Sequence, residues 1–159
     1  PDFTFSVSGN VTWKNFDASV TFQGVLGNKI YNATRQTLED VTKGTNFLAS
    51  TLDYWTPDNL NAAHPRLTWD DPNRNTRAEQ DRSYLRLRNL QVGYTFPQQW
   101  FRGYIQKARV YANAENLFTI TGYTGFTPDV NTNNARYRGF DNFIYPTNRV
   151  FMLGVNVTF

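Results

Sequence analysis

Few residues in this sequence could carry catalysis, and none is spaced for it. His64 is the only histidine and precedes Pro65. Alone it can complete neither a nucleophilic triad nor a zinc site, both of which need converging partners. Asp70-Asp71-Pro72-Asn73 supplies oxygens of the kind calcium takes, but without the twelve-residue spacing and closing Glu of a calcium loop. It reads as a solvated loop. Asp17 and Glu115 are candidate acid–base carboxylates, yet nothing in the sequence pairs them. There is no cysteine, which excludes disulfides and thiolate metal ligands. The Asn10-Val11-Thr12, Asn32-Ala33-Thr34 and Asn156-Val157-Thr158 triplets match the glycosylation acceptor pattern, but two of them fall inside strand-like segments. The expectation is a chain that is not an enzyme and has no cofactor or metal of its own.

Binding chemistry is better represented. Arg86, Arg88, Arg109 and Glu115 are charges within strand-like segments, and Trp55, Trp69, Tyr123, Phe126, Tyr137, Phe140 and Phe143 are aromatics in intervening segments. Rings of this kind stack on ligands or anchor protein partners. The net charge of +3 is spread along the chain with no Lys/Arg block, so a nucleic-acid partner is not supported.

These residues are positioned by elements with a distinctive pattern. Aromatics make up 16% of the chain and charged residues only 18%, against about 25% in ordinary soluble domains. Mean hydropathy is nevertheless −0.57. Such a balance suits strands with one apolar face and one polar, uncharged face. No run of about 18 apolar residues could form a membrane-spanning helix. Five segments alternate with period two. In residues 3–13, Phe3, Phe5, Val7, Gly9, Val11 and Trp13 oppose Thr4, Ser6, Ser8, Asn10 and Thr12. Residues 17–26 follow after a tight Lys14-Asn15-Phe16 connection. In residues 84–96, Leu90, Val92, Tyr94 and Phe96 share a face, but Leu85 and Leu87 are out of phase, so a bulge is expected near Arg88. Residues 107–118 put Arg109, Tyr111, Asn113 and Glu115 opposite Val110, Ala112 and Ala114. In residues 150–159, Phe151, Leu153, Val155, Val157 and Phe159 form an unbroken apolar face.

Short connections (14–16, 97–106) alternate with long ones (about 27–83 and 119–149). Transmembrane barrels have this asymmetry, with short periplasmic turns and long extracellular loops. A C-terminus at the periplasm places both short connections on that side, with Trp13, Phe16, Tyr94, Phe96, Trp100, Phe101 and Tyr104 as candidates for an aromatic girdle. Each segment meets the ~9–11 residues a tilted strand needs. The fold expected is therefore all-β, an antiparallel transmembrane β-barrel segment. Five strands cannot close a barrel, and open edges cannot face lipid. Pro1 leads straight into a strand pattern with no signal peptide, so residues 1–159 are expected to be the C-terminal part of a larger barrel. Within the first long connection, residues 33–54 have weak helical character that Gly44 is expected to break into two short helices.

Over roughly residues 50–159 the sequence resembles the SusC/RagA-like TonB-dependent outer-membrane transporters of Bacteroidetes. The resemblance rests on Tyr84-Leu85-Arg86-Leu87-Arg88-Asn89-Leu90-Gln91-Val92-Gly93-Tyr94-Thr95-Phe96-Pro97 and on Arg109-Val110-Tyr111-Ala112-Asn113-Ala114-Glu115-Asn116-Leu117-Phe118. It extends to Tyr123-Thr124-Gly125-Phe126, to Tyr145-Pro146 with the final strand, and upstream to Trp55-Thr56-Pro57-Asp58-Asn59 and Pro65-Arg66. Glu115 and Thr127 depart from the usual family residues. The resemblance implies a barrel of roughly 22 strands, of which these would be the last five, and a plug domain absent from this chain. It implies energy from TonB, a SusD-like surface lipoprotein as lid, and an oligosaccharide or peptide substrate. Localisation would be the bacterial outer membrane, with outer-membrane lipid around the wall. On this reading the 151–159 apolar residues, ending on aromatic Phe159, act as a barrel-assembly signal. Arg109, Tyr111, Asn113 and Glu115 face the lumen, and Trp55, Trp69, Tyr123 and Phe126 are loop contacts to substrate or lid. Two rivals are a soluble β-sandwich glycan-binding module, which would need its apolar face covered by a second sheet, and an outer-membrane enzyme.

Overall fold

The computed structural model describes residues 1–41, 44, 46–67, 76–101, 104–130 and 139–159. In chain order the elements are β1 (Phe3–Trp13), β2 (Phe16–Leu26), β3 (Lys29–Asn32), α1 (Ala33–Glu39), β4 (Glu79–Asp81), β5 (Tyr84–Thr95), β6 (Lys107–Thr121), β7 (Phe140–Asp141) and β8 (Val150–Thr158). Short 3-10 turns occupy Ala49–Leu52, Thr76–Ala78 and Gln98–Phe101. The chain divides into two compact units.

Unit 1 comprises Pro1–Asn28, Arg82–Gly122 and Pro146–Phe159. It is an antiparallel meander with strand order β1-β2-β5-β6-β8. All five period-two segments are strands, with boundaries within a few residues of expectation. β6 runs on to Thr121, and β2 begins at Phe16, which pairs with Trp13 and leaves a two-residue turn. Lys14 there takes a positive φ of 53°, as the tight hairpins that match strand twist require.

The phase break is resolved at Arg88. Thr21 pairs with Asn89 and Phe22 with Leu87, so Arg88 is an extra residue in the ladder. This resets the alternation, and Leu85, Leu87, Leu90, Val92 and Tyr94 all fall on one face. Opposite, β6 carries Asn116 and Leu117 outside the regular pairing, with Asn116 at φ 52°. Asn tolerates that left-handed conformation better than most residues.

Unit 2 comprises Lys29–Asp81 and Tyr123–Tyr145, the two stretches expected to be loops. They have a fold of their own. β3 pairs antiparallel with β4 and parallel with β7. Ile30, Tyr123 and Val130 are buried together, with Ile144 packed against them. The Asn32 side chain caps α1 by accepting from the Arg35 N–H at 2.8 Å, as N-cap residues do. Of the two helices expected in residues 33–54, only the first is an α-helix among the described residues. After it, the Leu48 N–H bonds the Leu38 carbonyl and a 3-10 turn follows at Ala49–Leu52. Gly44 lies between them at φ 61°.

Candidate functional site

Because directly paired residues share a face, the register sorts unit 1 into two surfaces. One carries Thr4, Ser6, Ser8, Asn10 and Thr12 of β1, and Asp17, Ser19, Thr21 and Gln23 of β2. Gly93, Gln91, Asn89 and Arg86 of β5 join them, with Arg109, Tyr111, Asn113, Glu115 and Thr119 of β6. The other face is apolar and largely exposed. Val11 is 63% exposed, Ile120 62%, Phe151 69%, Leu153 86% and Val155 67%. Among its described residues unit 1 has one sheet, with no second sheet of its own to close over this surface. A contiguous apolar face of this size calls for a nonaqueous neighbour.

The arginines on the polar face are held by the sheet itself. Arg109 bonds both carboxylate oxygens of Asp17, with Nε to Oδ1 at 2.9 Å. The two residues sit on β6 and β2, with β5 between them. Arg109 therefore crosses β5, and it does so over Gly93, where a Cβ would collide with the guanidinium. On the other side the Tyr111 ring covers Gly154 of β8, while the Arg109 guanidinium lies 5.0 Å from that ring's centroid. Gly in a strand often marks such a close approach. Asp17, without a visible partner in the sequence, is thus paired. Arg86 Nε donates to Thr119 Oγ1 at 3.1 Å, and Arg88 donates to Gln23 Oε1 at 2.8 Å. Asn89 Oδ1 and Asn113 Oδ1 are buried without a hydrogen-bond partner among the described residues.

At the hairpin end of the sheet the rings cluster. Phe16 and Tyr94 centroids are 4.7 Å apart, Tyr94 and Phe96 5.2 Å, and Phe96 and Trp100 5.8 Å. Trp13 and Tyr104 are exposed at 65% and 85%. Both short connections lie at this end, and the final strand β8 is a free edge.

In unit 2, Asp141 is fully buried and organises its surroundings. The Tyr123 hydroxyl donates to one carboxylate oxygen, and Thr34 Oγ1 and the Ile144 N–H bond the other. Tyr123 therefore sits in the core rather than presenting its ring as a loop contact, whereas Phe126 and Trp55 are exposed. Trp69, Tyr137 and the Asp70–Asn73 stretch lie outside the described residues. The Trp55-Thr56-Pro57-Asp58-Asn59 motif forms a turn in which the Asn59 N–H bonds the Thr56 carbonyl at 2.9 Å, with Pro at the position its fixed φ favours. Asp53 fastens this loop. The Asn59 amide at 2.9 Å and the Ala63 N–H at 3.1 Å hold its carboxyl below the usual range. His64 is buried; its Nδ1 meets Arg77 at 2.7 Å, with Glu39 4.0 Å away. It acts as a packing and hydrogen-bonding hub between α1 and the Thr76–Ala78 turn.

No family model matches the chain. The chain is similar to the TonB-dependent receptor P3 of Formosa agariphila, with 35% identity over 166 residues covering 100% of this chain and 16% of that receptor. It is also similar to the TonB-dependent receptor SusC of Bacteroides thetaiotaomicron, with 27% identity, covering 99% of this chain and 15% of SusC. Among solved structures, the RagAB peptide importer in its open-open state matches with a TM-score of 0.83 and 29% identity, over 98% of this chain and 17% of that chain. The chain thus spans about a sixth of the length of the curated relatives it matches.

Proposed function

The chain belongs to the SusC/RagA-like TonB-dependent receptors as one stretch of their β-barrel, and we propose that the whole receptor imports oligosaccharides or peptides across the bacterial outer membrane. The observation that carries this reading is the two-faced sheet of unit 1. Its apolar side is largely exposed, the strand arginines find polar partners on the other side, and β1 and β8 each leave one edge open. A soluble protein would have to cover that face and protect those edges. In a barrel wall, lipid covers the face and neighbouring strands pair the edges.

In this role the stretch catalyses nothing. The polar face, with Arg109, Tyr111, Asn113 and Glu115, lines the lumen through which substrate passes when the plug moves. The exposed residues Phe151, Leu153, Val155, Val157 and Phe159 meet lipid and are read during barrel assembly, a free strand edge being open to β-augmentation. The long connections are the extracellular loops of this reading, available to substrate and a SusD-like lipoprotein. TonB supplies the energy. The test is made in the source bacterium. Deleting the gene is expected to abolish uptake of one class of oligosaccharide or peptide, and the restored receptor should fractionate with the outer membrane. Recovery of the full receptor in a detergent-free soluble extract would sink the proposal.

A further inference from the structure

Unit 2 contains a cavity of about 340 Å³ between α1, the Ala49–Leu52 turn and residues 124–126, within the size range of small-ligand sites. Leu38 and Leu48 give it apolar walls, and the ring of Phe126 lines it while remaining 69% exposed. A flat ring so placed offers its face to a flat, partly apolar ligand. Three further side chains are available, one from each element. Arg35 of α1 bonds Glu39 through Nε alone, at 2.6 Å, and its terminal nitrogens can still donate. Ser50 Oγ has no partner among the described residues and can donate or accept. Thr124 Oγ1 donates to Gln80 Oε1 at 2.8 Å and keeps its lone pairs for accepting.

The lining therefore mixes donors and acceptors on different walls. A hydroxyl both donates and accepts, so a rigid ring bearing several hydroxyls can meet all three groups without a flexible chain having to be ordered. A purely apolar side chain would strip these groups of water and leave them unpaired. The charges favour a neutral ligand. Arg35 is already paired with Glu39. Asp141, also in the lining, is buried and accepts only from neutral groups, the Tyr123 hydroxyl, Thr34 Oγ1 and the Ile144 N–H. A carboxylate entering here would meet one neutralised cation and one uncompensated anion, and like charges disfavour each other.

We propose that this cavity receives one ring of a neutral saccharide, its apolar face on Phe126 and its hydroxyls on Arg35, Ser50 and Thr124. The inference rests on the transport reading and narrows it to neutral oligosaccharides. It is tested on the purified full receptor by calorimetry with a panel of neutral gluco-, galacto-, manno- and xylo-oligosaccharides. At least one member should bind, and it then serves as the probe. Phe126→Leu should weaken that binding roughly tenfold, whereas Phe126→Tyr, which keeps the ring, should bind as wild type does. An apolar side chain in the cavity would tolerate the leucine. Ser50→Ala, which breaks no bond of the fold, should weaken binding about two- to tenfold, the worth of one hydrogen bond. The same saccharide oxidised to a carboxylate at C6 should bind no more tightly. The proposal is overturned by no binding of any panel member, by wild-type affinity in Phe126→Leu or Ser50→Ala, or by equal loss in Phe126→Tyr. Tighter binding of the oxidised form, or displacement of the probe by a short leucine-rich peptide, overturns it too. If Phe126→Leu instead releases a co-purifying lipoprotein and leaves saccharide binding unchanged, the cavity belongs to a protein partner. Uptake separates the two readings. If the wild-type receptor imports peptides and no saccharide, transport stands and this cavity assignment falls. If it imports neither class, transport falls, and the titrations still judge the cavity.

Discussion

Met152 and Leu153 are adjacent, both apolar, and differ only in the face they occupy. By register Met152 pairs with Asn113 on the polar face, and Leu153 with Ala112 on the apolar one. Nine-residue β8 spans about 26 Å along its axis, or roughly 20 Å of membrane depth at a tilt of ~40°. Each residue then accounts for about 2.5 Å of depth, and Leu153 lies within about that distance of the strand's centre. An arginine on the lipid face near the midplane costs ~2–4 kcal/mol, a roughly 30- to 700-fold change in the folding equilibrium. Met152→Arg points to the other side, diagonal to Glu115, where water and a carboxylate are available. Leu153→Arg should therefore destabilise the full receptor by that amount, and Met152→Arg by well under 1 kcal/mol. The assay is denaturant titration of receptor refolded into lipid vesicles, with each variant compared at equal refolding yield. Equal costs for the two substitutions, or a Leu153→Arg protein as stable as wild type, would refute the assignment of faces.

Four further outcomes follow. Gly93→Val should cost about 1–3 kcal/mol by overpacking, because its side chain would occupy the path of Arg109; a melting temperature unchanged from wild type would contradict this. Tyr123→Phe removes a donor from buried Asp141 and should destabilise unit 2 by ~1.5–3 kcal/mol, read as lost hydrogen-exchange protection at residues 29–34 and 140–144. Asp53 has a depressed folded pKa, so its contribution is complete above the ordinary carboxylate value of about 3.9 and disappears as pH falls through the lowered folded value. Trp55 fluorescence should report the 53–64 loop loosening at that acid edge, and Asp53→Asn should abolish the dependence. Phe159→Ala should reduce the amount of receptor in the outer membrane, and normal levels of the variant would exclude a role for this side chain in assembly.

What the sequence made legible was local. Strict alternation located β1, β2, β5, β6 and β8, because a wall with lipid on one side and water on the other imposes period two on every residue. The misphased leucines even located the bulge. Unit 2 was read as loops because its strands are four, three and two residues long, too short to show a period. Its central contact, Tyr31 with Phe140, also joins residues far apart in the chain. For the same reason Tyr123 looked like a free loop aromatic. Nothing near it in sequence announces that Asp141 is buried and needs its hydroxyl. The Arg109–Asp17 pair was hidden too, although Gly93 in mid-strand was a usable signal.

The bulge at Arg88 shows how the two solvents act on the chain. With unbroken alternation, Arg86 and Arg88 would share a face with Leu90, Val92 and Tyr94. Either two guanidiniums would face lipid, at up to ~2–4 kcal/mol each, or three large apolar side chains would face the polar side. One extra residue costs the local pairing, about 1 kcal/mol for an interrupted hydrogen bond. The bulge is the smaller cost, and the structure takes it. Arg86 then reaches Thr119 and Arg88 reaches Gln23 on the polar face. The same preference explains why Arg109 runs across a whole strand over Gly93 to find Asp17 instead of turning outward. On this wall every described strand arginine has a polar partner within the sheet, which leaves the apolar face free of charge from β1 to β8.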